Sequence, residues 1–445
     1  MKTTKGEKMG NFSNIEKNIL DYFFTSSDKE DTVYAAKQTL PQEIVGYIIG
    51  RASRAKETFR EIFLKLWVEL WNDTGVPLNF KEENHINEIL RKISDKSFKF
   101  LNEYKLHNSL REVPHVAIFC DELSILQTKV WEHEVVAEYQ EKSTRYRPFV
   151  ASNVYLPNQI SNELKDKINI DHNMLIETYN EIYEDTKKRD LARYLLPVGS
   201  KTAMACMASI RSWERIVGRM IAYPTVESTV LALAIRSNIK KVFDRSYSFE
   251  YNDDYVEKCI KDFSFISNDI DINNIGKCDR DQYAIIKKIE TEDVYKINGL
   301  IDIGAHRDLQ RHRSVIQNFP DYRPIYGYDK LIKNYIKEEL YQKYSKCMRY
   351  FNNLFIDTYF ELKDKENVGE IQYVALLGHM TKFWYITDRD RWQYIHDLRT
   401  GAPTQKATNP QTVHFSYSTW CKVVEEKIKK YDLQNSMEDY NEPSD

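Results

Sequence analysis

The sequence predicts an α+β chain made of two related units, and three observations carry that reading. From Pro41 to Trp71 apolar residues return at helical spacing (Ile44, Ile48, Ile49, Phe59, Ile62, Phe63, Leu66, Trp67, Leu70) with no internal proline, as in one long amphipathic helix or a helix pair. His115 to Cys120 (HVAIFC) is a short, β-branched apolar run of the kind that forms a buried strand. The chain also resembles itself at an interval of about 180 residues. Tyr194, Gly199, Thr202, Arg211 and Arg219 stand opposite Tyr373, Gly378, Thr381, Arg391 and Arg399, the arginines one place further on. Arg145 precedes Gly199 by 54 positions, and Arg323 precedes Gly378 by 55.

Taken in order, residues 84 to 106 read as another helix and Ile160 to Lys188 as a polar helical stretch, after which Pro197 breaks the chain. Thr202 to Phe243 gives two helical patterns interrupted at Pro224. The segment from Asn252 to Arg280, rich in Asp and Asn, is expected to be a linker. The division that follows is a first unit over 1–255 with a helical N-terminal extension, a second over 256–435, and a disordered acidic tail over 436–445.

The 445 residues, 42% of them hydrophobic, suffice for two domains with separate cores. With 64 basic and 67 acidic side chains the formal charge is -3, so nothing draws the whole chain to nucleic acid or to a membrane surface, and any anion site is local. The six cysteines, 120, 206, 259, 278, 347 and 421, form no CxxC pair, which fits a reducing cytoplasm and neither a disulfide frame nor a zinc cluster. No uncharged apolar run reaches the roughly 18 residues of a membrane span. A cytoplasmic protein is expected.

Two constellations carry chemistry. In Arg307 to Asn318 (RDLQRHRSVIQN) Arg307 and Arg311 share a helical face at i, i+4, where like charges repel unless something neutralises them. The cluster is either a phosphate or carboxylate site, with His312 beside it and planar guanidiniums as bidentate donors, or a solvated basic face paired with nearby acids. Glu141 to Pro148 (EKSTRYRP) is either an ordinary polar loop or a strand on which alternate residues Glu141, Ser143 and Arg145 point to one side, offering an acceptor, a hydroxyl and a cation to a nucleotide. His306 and His312, six apart, do not share a helical face, so no metal site is expected.

Ser143-x-Arg145-Tyr146 and Arg311-His312-Arg313 resemble the two ends of the signature of flavin-dependent thymidylate synthases, RHR followed after seven residues by SxRY. The ends are split between the repeats. The first keeps Glu141, Ser143, Arg145 and Tyr146 but has His133, Glu134 and Val135 at the RHR positions. The second keeps Arg311, His312, Arg313, Asn318 and Arg323 but has Asp321 at the serine and Pro324 at the tyrosine. RYLLPVGSKT and RSWERIVGR, with Arg236 beyond them, resemble the segments that follow the signature, and Tyr34 to Arg54 resembles the extension of double-domain relatives.

The resemblance implies two tandem domains, each a central mixed or antiparallel sheet flanked by long helices, and a homodimer that imitates the family's tetramer. It implies FAD as cofactor, methylenetetrahydrofolate and NADPH as co-substrates, and reductive methylation of deoxyuridylate (dUMP to dTMP) without a protein nucleophile. On a composite site, Arg311, His312, Arg313 and Asn318 would bind the flavin, and Glu141, Ser143, Arg145, Arg211, Arg219 and Arg236 the nucleotide. The alternative is a non-catalytic flavin or nucleotide-binding protein on the same fold.

Overall fold

The computed structural model describes residues 12–52, 55–72, 83–103, 108–144, 153–243, 252–267, 270, 285–289, 294–312, 315–319, 321–400 and 421–430. Arg145, Arg313 and the tail expected over 436–445 lie outside them. The chain divides into two units that interleave along the sequence: residues 1–117, 207–215 and 234–250, and residues 118–206, 216–233 and 251–445.

The first unit is helical. Helix α1 (Asn14–Phe23) begins at a capping box, Ser13 Oγ accepting from Glu16 N and the Glu16 carboxylate from Ser13 N. Helices α2 (Gln42–Ala52) and α3 (Phe59–Asn72) are the pair expected over 41–71, and both pack with α4 (Glu83–Glu103). Their apolar faces bury Phe23, Ile44, Phe63, Trp67 and Ile93 completely.

Two segments share the same order of elements, the second wholly in the second unit and the first mostly so, with residues 115–117, 207–215 and 234–242 counted in the first unit. Strand β1 (His115–Ser124) leads into α5 (Ile125–Glu132), β2 (Ala137–Glu141), the 25-residue α6 (Asn162–Thr186), the short α7 (Arg189–Ala192), β3 (Lys201–Ser209), α8 (Ile210–Ala222) and α9 (Val226–Val242). After α10 (Asp253–Asp262) and β4 (Ile285–Ile289) the series recurs: β5 (Val294–Asp302), α11 (Ile303–Gln310), β6 (Ile316–Gln317), the 25-residue α12 (Glu338–Leu362), β7 (Met380–Asp388) and α13 (Arg389–Thr400). The sheets run β1-β3-β2 and β4-β5-β7-β6, so in each the late strand lies between the two early ones. In the second sheet all neighbours are antiparallel.

Reciprocal hydrogen bonds join the segments. Gly199 N donates to Tyr373 O at 3.0 Å and Gly378 N to Tyr194 O at 2.8 Å; Val198 N donates to Ala375 O at 2.7 Å and Leu377 N to Leu196 O at 2.9 Å. Pro197, expected only to break the chain, sits at the centre of this exchange, bridged to Leu376. Helices α6 and α12 pack antiparallel beside it, with Lys343 on Glu181 at 2.8 Å near one end and Lys167 on Asp357 at 2.6 Å towards the other.

Two expectations are corrected. The helical pattern expected from Thr202 onward, where Ala and Met favour a helix, gives way over residues 201–209 to β3, the middle strand of its sheet, where pairing on both edges outweighs local preference. Within the described part of the expected linker, residues 253–262 form helix α10 and 264–267 a short 3-10 turn. Asn252 caps the helix, its side chain accepting from Tyr255 N at 3.2 Å; Asp253 and Asp254 suit the helix's first turn, and the helix buries Cys259.

Candidate functional site

The residues from which a site can be built lie at the ends of α5 and α11, two eight-residue helices capped in the same manner. Ser124 Oγ accepts from Gln127 N at 3.1 Å, and Asp302 Oδ1 from Ala305 N at 2.6 Å. Each helix follows a strand and starts against the late strand of its sheet, Ile125 N donating to Ser200 O at 2.9 Å and Ile303 N to His379 O at 2.9 Å. Both last turns therefore point their polar residues into the interior of the second unit.

There they form one charged cluster. Arg307 Nη2 donates to Glu141 Oε1, and Arg307 Nη1 lies 3.5 Å from Thr144 Oγ1. Lys129 Nζ donates to Glu132 and sits 3.5 Å from the other Glu141 oxygen. Arg311 Nε is 3.9 Å from Glu132 Oε1. Arg193 Nη2 donates to Asp308 at 3.0 Å. Burial pushes the Glu141 carboxyl up, but Arg307, Lys129 and Arg311 together override that and hold it below the usual carboxylate range. The repulsion between Arg307 and Arg311 is thus relieved largely by the chain's own acids. Of these cations Arg311 is the most open, about a third exposed and at ion-pair but not hydrogen-bond distance from Glu132, so it is the one suited to an incoming anion.

A cleft of about 320 Å³ shares Thr144 with this cluster. Ile125 and Leu196 give it apolar walls, and Ser143, Asn153 and Thr202 give it polar ones. Lys142 and Lys201 line it with Asp121 and Glu122, Lys201 Nζ holding Glu122 at 2.8 Å. The Ser200 hydroxyl on its wall is buried and has no hydrogen-bond partner among the described residues, so a polar ligand would satisfy it. The volume is at the low end of the roughly 300–1,000 Å³ typical of small-molecule sites, the size of a mononucleotide and too small for a whole dinucleotide.

Of the residues expected from sequence, Glu141 and Arg311 belong to the charged cluster and Ser143 lines the cleft beside it. His312 lies close by in the chain, its ring 6.2 Å from that of Tyr394. Asn318 holds β6 to β7, its Oδ1 accepting from Trp384 N at 2.7 Å. Arg219 is buried, with Tyr255 Oη at 2.9 Å and Glu134 at 3.5 Å. Arg211 and Arg236 belong to the first unit, where Arg211 donates to Glu112 at 2.9 Å and Arg236 sits on α9. Sequence reasoning missed Lys129, Glu132, Thr144, Arg193 and Ser200. The available signal was that Lys129 and Arg307 stand at matching positions four residues before His133 and Arg311.

Two histidines border the cluster as neutral groups. Burial pushes His133 and His306 down to about 3, with Arg219 acting in the same sense on the first and Lys129 on the second. Burial likewise takes His172 and His379 down to about 4. Each folded value is below the unfolded one of about 6.5. The unfolded chain therefore takes up protons that the folded chain refuses, and stability falls as pH drops below about 6.5 toward 4. The urea midpoint is expected to be lower at pH 5 than at pH 7; a midpoint independent of pH over that range would contradict the burial of these rings.

The family model described as thymidylate synthase complementing protein matches residues 28–243. The match covers just under half of the chain. The matched span contains Glu141, Ser143 and the cleft, together with α2, α3 and α4, while Arg307 and Arg311 lie beyond its end. None of the curated proteins matches the chain. Among solved structures the chain is similar to a UMP/dUMP methylase, PolB from Streptomyces cacaoi bound with 5-Br dUMP, at 13% identity over 45% of this chain and 86% of that one, with a TM-score of 0.29. The same enzyme bound with 5-Br UMP matches at 13% identity over 39% and 82%, with a TM-score of 0.25. Among the described residues no helix is long and apolar enough to cross a membrane.

Proposed function

We propose that the chain is a flavin-dependent, thymidylate-synthase-like enzyme that methylates a pyrimidine mononucleotide, deoxyuridylate in the first instance, at one composite site. The observation that carries this reading is that Glu141 of one segment and Arg307 and Arg311 of the other meet in a single cluster bordering a mononucleotide-sized cleft. In this reading the two segments are duplicated domains that have specialised, and the shared order of elements and reciprocal hydrogen bonds support that origin. Assembly as a homodimer in the cytoplasm belongs to the same proposal.

The chain's own groups have distinct tasks. Glu141 orients Arg307, which stands beside the Thr144 hydroxyl on the cleft wall. Ser143, Thr144 and the unpartnered Ser200 hydroxyl bind sugar or phosphate, with Arg145 following Thr144 directly in sequence. The donor set fits FAD in one respect: a partly exposed Arg311 beside His312 offers a cation and a ring outside a cleft too small for the dinucleotide. Reduced FAD, when bound, supplies the hydride, methylenetetrahydrofolate the carbon and NADPH the reducing equivalents. The protein supplies binding and electrostatics, which accounts for a site built from cations and hydroxyls without a nucleophile.

The test is the visible absorption spectrum of the protein with FAD, titrated with deoxyuridylate. Arg311→Ala is expected to weaken FAD about 10- to 100-fold, the worth of a lost charged hydrogen bond. Arg145→Ala is expected to abolish the nucleotide response while flavin stays bound. Binding of both ligands without methyl transfer would leave the non-catalytic alternative, and no flavin at micromolar protein would sink the proposal.

A further inference from the structure

We infer that the chain holds one nucleotide site and not two, because the place related to the Glu141–Arg311 cluster by internal correspondence is a closed aromatic packing around Phe319. The identity of the ligand rests on the reading above; the closure does not. Helices α5 and α11 start at residues 125 and 303, an interval of 178 that continues through the following strands. It sets His133 opposite Arg311, Glu141 opposite Phe319 and Thr144 opposite Tyr322. Lys142 N bonds Ala203 O and Asn318 N bonds Trp384 O, so each of these strands lies against the late strand of its own sheet.

Glu141 and Arg311 have both changed at the related place, to Phe319 and His133, while the counterpart of Arg307 is Lys129, a cation already bound to Glu132. Where Glu141 faces cations, the half-buried Phe319 ring packs edge-on against His133 at 5.5 Å and against the buried Phe263 at 5.1 Å, with the buried Tyr223 at 5.5 Å. Where Thr144 meets Arg307, Tyr322 is fully buried and its hydroxyl bonds His306 Nδ1 at 2.9 Å. Arg323, the counterpart of Arg145, is 5% exposed and neutralised by Asp321, with Nε 2.9 Å from one carboxylate oxygen and Nη2 2.6 Å from the other. An anion site needs a cation with charge to give and a path from solvent. This place has a buried, internally paired arginine, held by Asp321 and the Ile266 carbonyl, and a packed group of aromatic rings, and Phe263 comes from the turn after α10, which precedes only the second segment.

Equilibrium dialysis of deoxyuridylate against the FAD-loaded full chain is expected to give one nucleotide bound per chain, and two would overturn the inference. Thermal unfolding decides it without a ligand. Phe319→Glu is expected to lower Tm by about 5–10 °C and the milder Phe319→Leu by about 2–5 °C, the cost of opening a packed ring cluster. Unchanged Tm in both would mean that the place is an open site and would overturn the closure. If deoxyuridylate does not bind at all, the functional proposal fails while the Phe319 variants still decide whether the place is closed.

Discussion

Arg307→Ala is expected to be the most damaging single substitution in the second unit, costing about 3–5 kcal/mol of stability, because it strands a buried carboxylate. Glu141 is 3% exposed, and the Arg307 guanidinium is its closest partner; Lys129 stands 3.5 Å away and is itself bound to Glu132. Without Arg307 the desolvation of Glu141 is opposed mainly by Lys129 and Arg311. The double variant Arg307→Ala, Glu141→Gln should be milder than Arg307→Ala alone, since removing both charges removes the unpaired one. The pH dependence has a fixed sign. The folded Glu141 carboxyl is held below its unfolded value, so the pair's contribution is present above about pH 4.5 and is lost as pH falls through the lower folded value. Urea unfolding of both variants at pH 7 checks this; a double variant as unstable as the single one would show that lost packing, and not a stranded charge, dominates.

The same pair marks the limit of what the sequence shows. The i, i+4 spacing of Arg307 and Arg311 announces a cation pair in need of neutralisation, and a face paired with nearby acids is one of the two answers it leaves open. Which acids is not legible, because Glu141 lies 166 residues from Arg307 and they meet only through the packing of α11 on α5, which packs in turn on β2. Arg219 is a similar case: position alone makes it a ligand contact, and its partners Glu134 and Tyr255 come from other elements. Residues 201–209 and 252–262 resist sequence reading for another reason. Local composition cannot report that a strand will be paired on both edges, nor that a polar stretch is half of an amphipathic helix. By contrast the pairing of Tyr194 and Gly199 with Tyr373 and Gly378 is visible in the sequence, and the structure gives these four residues matching backbone roles.

Gly199→Ala follows from that pairing and is expected to cost about 3 kcal/mol or more, with Gly378→Ala cheaper at about 1–2 kcal/mol. A Cβ on Gly199 would lie 2.6 Å from Tyr155 O, 3.0 Å from Tyr373 Cβ and 3.1 Å from Tyr373 O. Those oxygens are main-chain atoms of residues that hydrogen-bond to Gly199 itself, Tyr155 N donating to Gly199 O at 2.8 Å and Gly199 N to Tyr373 O at 3.0 Å. Relief would require the main chain at Tyr155, in the same segment, and that at Tyr373, in the other, both to draw back from Gly199. At Gly378 the nearest atoms are Met348 Cε at 2.5 Å and Tyr344 Oη at 2.6 Å, the ends of side chains, one of them a flexible thioether. The matched glycines thus serve one need, close approach of two chains around Pro197 and Leu376, but with unequal tolerance. Chemical denaturation of the two variants measures the difference. Equal losses would mean that the crossing yields as readily at its backbone as at its side chains, and that the glycine at 199 is not what fixes the approach of the segments.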